Sequence, residues 1–218
     1  MMSNLFSSFD PSTSPLIQLN WMSMLTAMLI MPTKFWNLNS QSTMLLKKTT
    51  EFIMKEMNNI TKNKQIKLLM MSMFMFILIN NIMGITPYTF TATSHLVISL
   101  ALSLPMWIML MMHGWIKFTN NMFSHLLPTG TPMLLMPFMI MIETISNLIR
   151  PISLSVRLTA NMIAGHLLMT LLGEINSLKT IPLIFIMKMI LMMFETAISM
   201  IQAYVFTILS TLYSSEIP

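Results

Sequence analysis

The chain has 218 residues, of which 55% are hydrophobic and only 9% charged. A soluble domain carries about 25% charged residues, so a soluble globular fold is excluded and a lipid bilayer is the expected solvent. Cysteine is absent, which removes disulfide frameworks and thiolate metal sites. The net charge of +5 does not point to nucleic acid, because the basic residues cluster along the chain instead of spreading over one face.

A polar leader, MMSNLFSSFDPSTSP, opens the chain and shows neither a cleavable signal peptide nor an arginine-rich presequence. The first apolar run, 16–33, is short for a membrane span but reaches the required length of about 20 residues with its flanks. A basic surface segment, 34–65, follows, and with Lys67 just beyond it carries seven lysines and the two acids Glu51 and Glu56. Within it Leu45, Leu46, Phe52, Ile53 and Met57 form an apolar stripe, the pattern of an amphipathic helix lying on a membrane surface. A solvated loop is the alternative.

Residues 66–85 and 94–112 are the next two spans. The first of them is closed by the turn signal Gly84-Ile85-Thr86-Pro87, and the second carries a kink site at Pro105. After a polar break at 113–131 come two very long apolar segments within 133–213, one on each side of a turn at 173–180. As continuous helices they would measure about 60 Å and 50 Å, well beyond the ~30 Å hydrocarbon thickness. Either Pro137 and Pro151 break the first, or both cross steeply tilted as a hairpin. The absence of any polar interruption favours the tilted hairpin. The fold class expected is thus an all-α polytopic membrane protein in a single membrane domain, with five membrane-embedded helices and one amphipathic surface helix.

Lysine placement sets an orientation. One side receives 34–67 and 113–131 with eight lysines, and the other receives the leader and two turns with Lys179 alone. This asymmetry puts the N-terminus outside and the C-terminus inside.

Three cations remain, Arg150, Arg157 and Lys188, all embedded in apolar sequence. An arginine at that depth costs about 3 kcal/mol on insertion scales, so it lines an internal path or meets a partner. At helical spacing Glu143, Asn147, Arg150, Arg157 and Asn161 fall within about 80° of one another. His166, nine residues beyond Arg157, lies about 180° round the same helix and faces a different neighbour, most simply the second arm. On that arm Lys188, Glu195 and Gln202 recur every seven residues and share a face, with Ser199 near it. Glu195 and His166 are the groups able to exchange protons, whereas arginine stays charged.

Several of these residues also fit plainer roles. Asn147, Ser199 and Gln202 taken singly fit packing hydrogen bonds between helices. Lys188, near a helix end, fits snorkelling to the interface. Arg150 is a candidate partner for Glu143, although seven residues exceed the usual pairing distance on one helix. Thirty methionines read as substitutes for leucine and isoleucine and not as a binding surface. His95, His113, His125 and His166 lack metal-ligand spacing, and no phosphate loop or nucleophile triad is present.

The segments SVRLTANMIAGHLL (155–168), IETISNLIRP (142–151), ETAISMIQAYVFTILSTLY (195–213) and NNIMGITPYTFTATSHL (80–96) resemble subunit a of F-type ATP synthases in its mitochondrial form. The resemblance covers most of the chain and is looser over the first 65 residues. It implies that Arg157 is the essential arginine facing the carboxylates of a rotating c-ring. It implies that Asn161, His166, Glu195 and Gln202 line a half-channel from the outer side, and that Glu143 belongs to the matrix-side path. His166 and Glu195 stand in the mitochondrial arrangement, exchanged relative to bacterial members, while Lys188 matches no functional residue of the family.

The resemblance also implies a proton-translocating subunit with no catalysis of its own and no cofactor, protons being the transported ion. Its partners would be the c-ring, other membrane-sector and peripheral-stalk subunits and the lipid bilayer, with no nucleic acid. Its place would be the mitochondrial inner membrane, N-terminus in the intermembrane space and C-terminus in the matrix. A self-contained secondary transporter would need internal repeats and a midplane pocket, and no repeat is visible. A purely structural membrane subunit would not need the embedded charges.

Overall fold

The computed structural model describes residues 5–13, 18–25, 29–30, 38, 40–61, 63–86, 89–127, 130–174 and 181–216. Among them the regular structure is entirely helical, as expected of a chain that must satisfy its backbone inside lipid. Six α-helices are described: α1 (Gln41–Ile60), α2 (Lys64–Ile85), α3 (Leu96–Lys117), α4 (Thr119–His125), α5 (Met136–Glu174) and α6 (Ile181–Glu216). Short 3₁₀ segments occur at Leu5–Phe9, Leu19–Leu25, Ala92–Ser94 and Met133–Leu135.

Helix α1 starts at Ser40, whose hydroxyl accepts from the backbone N–H of Thr43 at 3.4 Å, a standard way to satisfy an unpaired first-turn donor. The expected apolar stripe divides between two environments. Ile53 and Met57 are buried and Leu46 packs beside them, whereas Leu45 and Phe52 are exposed. The buried face is therefore covered by protein, α2 and α6, and not by lipid alone. Two polar contacts fix α1 in place: Lys67 donates to Asn58 Oδ1 at 2.6 Å, and the Tyr204 hydroxyl on α6 donates to the Glu56 carboxylate. Lys67 is thus a buried anchor and not a free surface charge.

Helix α2 is apolar on nearly every side and is buried accordingly, with Met70, Phe74 and Ile77 in the core. From α1 come Ile53 and Met57, from α5 Leu154 and Leu158, and from α6 Ala203 and Phe206. Met57 and Met70 are fully enclosed, filling space as leucine would. Helix α2 ends at Ile85, where the Thr86 and Thr89 hydroxyls both donate to the Met83 carbonyl at 2.7 Å; Pro87 lies outside the described residues. Helix α3 runs through Pro105 and continues five residues past the expected end at 112.

Four segments are long and apolar enough to cross a membrane among the described residues: Lys64–Ile85, Leu96–Lys117, Met133–Glu174 and Pro182–Ser215. The first apolar run, 16–33, falls partly outside the described residues, so a fifth span is not among these four. Its described stretch Leu19–Leu25 is 3₁₀ helix. Polar side chains there bond locally, Asn20 to the Asp10 carbonyl and Trp21 Nε1 to Gln18, and such bonds compete with an α-helical ladder.

Helices α5 and α6 span 39 and 36 residues, about 58 Å and 54 Å at 1.5 Å per residue. Neither is broken. Pro137 occupies the first turn of α5, where a missing N–H costs nothing, and Pro151 is buried inside a helix that continues through it. The turn between the two arms, 175–180, lies outside the described residues. Both helices leave apolar side chains exposed, among them Ile142, Ile145 and Ile149 on α5 and Ile186, Ile190 and Met193 on α6. Faces of that size need lipid or another protein against them.

Candidate functional site

Polar groups on α5 sort by face, as the helical spacing requires. Arg157 is exposed, and its guanidinium has no ion pair or hydrogen bond among the described residues. Its backbone carbonyl accepts from Gln202 Nε2 of α6 at 3.2 Å. Gln202 is buried, and its Oε1 has no partner among the described residues. It joins the two long helices at the level of Arg157 and does not line the cleft formed by the other residues.

That cleft, of about 580 Å³ including its open mouth, lies between the C-terminal half of α5 and the N-terminal half of α6. Asn161, Gly165 and His166 line it from α5, and Glu195 and Ser199 from α6. Glu195 is only 9% exposed, and its Oε1 has no hydrogen-bond partner among the described residues. Gly165 makes its position possible. A Cβ at residue 165 would stand 3.1 Å from both the Cδ and Oε1 of Glu195, so the carboxyl rests directly against the α5 backbone.

His166 Nε2 lies 2.8 Å from the carbonyl oxygen of Gly84, in the last turn of α2. A carbonyl can only accept, so Nε2 carries the hydrogen and Nδ1 is the nitrogen left to take a proton. The neighbour expected for His166 was the second arm. The cleft does bring it near Glu195, but its hydrogen bond goes to α2, a helix distant in sequence. The edge of the Phe9 ring completes its surroundings, with centroids 6.1 Å apart and planes at 83°.

Glu143 lies two turns from Arg150, and the two charged groups approach to 4.0 Å. The expectation that seven residues is too far for pairing is corrected. The helical rise separates the backbones by about 10 Å, and two long side chains extended toward each other close that gap. The Arg150 guanidinium also sits 4.9 Å from the centroid of the Tyr213 ring, within cation–π range. Lys188 is half-buried and reaches toward the end of α5, its Nζ lying 3.7 Å from where a Cβ of residue 173 would be.

An exposed, unpaired arginine beside a cleft holding one acid and one imidazole is the arrangement against which comparison with known proteins is informative. The family model described as ATP synthase A chain matches residues 14–215. The chain belongs to that family. Relatives match along their whole length: ATP synthase subunit a of Locusta migratoria is 49% identical, and those of Aedes aegypti and Drosophila melanogaster are 48% identical, each over 100% of both chains. In this ATP synthase A chain family member, then, the structure gathers Asn161, His166 and Glu195 into one cleft. It leaves Arg157 on an exposed face and places Gln202 and Glu143 in separate contacts. Gly165 and Phe9 are site residues that the sequence pattern did not single out, and Gly84 enters it only as part of a turn. Gly165 carried a signal, since a glycine inside an apolar helix sacrifices about 1 kcal/mol and commonly marks a close approach.

Proposed function

We propose that this chain is the proton-translocating stator subunit of an F-type ATP synthase membrane sector, working in the mitochondrial inner membrane. The observation that carries the reading is the separation on one helix: His166 shares a cleft with Glu195, while Arg157 stands unpaired on an exposed face. In this reading α5 and α6 cross the bilayer steeply tilted, because their ~58 Å and ~54 Å exceed its ~30 Å core. The lysine-rich side faces the matrix, and the exposed faces of the two helices meet the c-ring.

A proton from the outer side passes by way of His166 Nδ1 and the Glu195 carboxyl and neutralises a ring carboxylate. Asn161 and Ser199 supply hydrogen-bonding groups along the cleft. Once neutral, the ring carboxyl can travel through lipid at little cost, which a charged one cannot. After nearly a full turn it releases its proton toward Glu143 on the matrix side. Arg157 holds the returning carboxylate ionised and blocks a direct leak between the two paths. Each proton crossing the field contributes about 2.3 kcal/mol per 100 mV to rotation.

His166→Ala in the complete, reconstituted enzyme tests the path. Proton flux should fall by about tenfold or more, short of the roughly hundredfold lower range of an essential proton carrier because Glu195 remains in the cleft, while the complex still assembles. Unchanged flux sinks the assignment of His166. Gly165→Ala tests the seat of the carboxyl. The added methyl displaces Glu195 and should slow pumping by about tenfold, the scale of effect that a small misplacement produces. Thermal stability should hold or rise, since alanine favours helix by about 1 kcal/mol over glycine. Full pumping by that variant would show that the position of Glu195 against α5 is unimportant.

A further inference from the structure

The N-terminal segment reaches His166, one of the residues that line the cleft, and has no part in the path described above. Its 3₁₀ turn, Leu5–Phe9, packs on α5, and Phe9 meets the ring of His166 edge-on. The next residue is Asp10, whose carboxylate is exposed. We infer that Asp10 is a proton-attracting carboxylate at the mouth of the cleft, held there by the packing of Phe9 on His166. The inference rests on the proton-path reading and adds to it a residue that works before the first transfer.

Three bonds hold Asp10 where it is. Its N–H donates to the Ser7 carbonyl at 3.3 Å, its Oδ1 accepts from the Ser12 N–H at 3.1 Å, and its carbonyl accepts from the Asn20 side chain at 3.4 Å. The Ser12 backbone N–H, with the Ser12 hydroxyl, holds the carboxyl below the usual carboxylate range. Asp10 therefore stays ionised across physiological pH and acts through its field, not by storing a proton. The groups served by that field are those of the cleft: the imidazole touched by Phe9, and the buried Glu195 carboxyl with its unpartnered Oε1. The other charged groups described near the outer end of α5 are Glu174, in its last turn, and Lys188, which reaches toward Gly173. A surface charge of one sign beside a low-dielectric cleft raises the local concentration of its counter-ion and with it the rate of capture. For one solvated charge about 10 Å away the effect is roughly twofold.

The test is proton-driven ATP synthesis by the complete enzyme in liposomes, with protons limiting on the side of the N-terminus. It is run at ~0.01 M and ~1 M salt, where screening lengths are about 30 Å and 3 Å. The wild type should lose about half its rate between the two salts. Asp10→Asn keeps the acceptor for Ser12 and should show the lower rate at both, while Asp10→Glu should restore the salt dependence. A wild-type salt dependence in the Asn variant overturns the inference, as does equal slowing relative to wild type at both salts, the mark of a purely structural role. Failure of Glu to restore the dependence also overturns it. Glu195→Gln, measured alongside, should be slow at both salts. If it conducts normally, the proton path itself is wrong, and the inference falls with it for a distinguishable reason.

Discussion

Arg157→Ala should abolish ATP-driven proton pumping while leaving the complex assembled and its ATP hydrolysis running without coupling. The exposed guanidinium has no partner among the described residues, and on the proposed reading the interaction that the variant loses is the one with a ring carboxylate. An ion pair at about 4 Å and an effective dielectric near 20 amounts to roughly 4 kcal/mol, about a thousandfold in the stability of an ionised ring carboxylate. Without it the carboxylate is not held charged between the two paths, and protons can pass directly from one to the other. Liposomes carrying the variant should therefore show passive proton conductance above that of the wild type. Arg157→Lys retains the charge but not the planar fork, and should recover only part of the pumping. Coupled pumping at the wild-type rate by the alanine variant would remove the central assignment.

Glu195→Gln should have the second largest effect. The substitution keeps side-chain length and fits the space left by Gly165, so packing against α5 is preserved and only the exchangeable proton is lost. Flux in both directions should drop by about a hundredfold, the lower range of a proton carrier's contribution, with neither a new leak nor a loss of membrane insertion. The two variants thus separate by phenotype: the arginine variant conducts without coupling, and the glutamine variant does not conduct. A leak in Glu195→Gln would mean that the carboxyl acts as a barrier and not as a carrier.

The parts of the fold that were legible in the sequence are those governed by length and solvent. Spans near 66–85 and 94–112 follow from the match between apolar run length and hydrocarbon thickness, the two long arms within 133–213 from uninterrupted apolar runs that exceed it, and the helices found there end within a few residues of those bounds. Pattern alone was less informative where protein and lipid compete for the same apolar face. The stripe on α1 contains both kinds of residue, and only the packing of α2 and α6 decides that Ile53 and Met57 go inward while Phe52 stays out.

At the site, helical spacing put Arg157 and His166 on opposite faces, because spacing is a property of one helix. It could not supply the partners that other elements bring. The acceptor for His166 is a backbone carbonyl at Gly84, which any residue type would provide and no motif announces. The Glu143–Arg150 contact was set aside by a rule derived from neighbours three or four residues apart, and two extended side chains evade that rule. The ring of Phe9 comes from more than 150 residues away in the chain.

The unbroken course of α5 through Pro151 has a consequence for how such a chain can evolve. Glu143, Arg157 and His166 are marks on one rigid ruler, their heights and bearings fixed together by a constant rise and twist. A substitution between them leaves the scale unchanged. Inserting or deleting one residue would rotate everything beyond it by about 100° and shift it by about 1.5 Å, turning the arginine and the imidazole toward the wrong neighbours at once. Between residues 143 and 166 the number of residues is thus constrained separately from their identity.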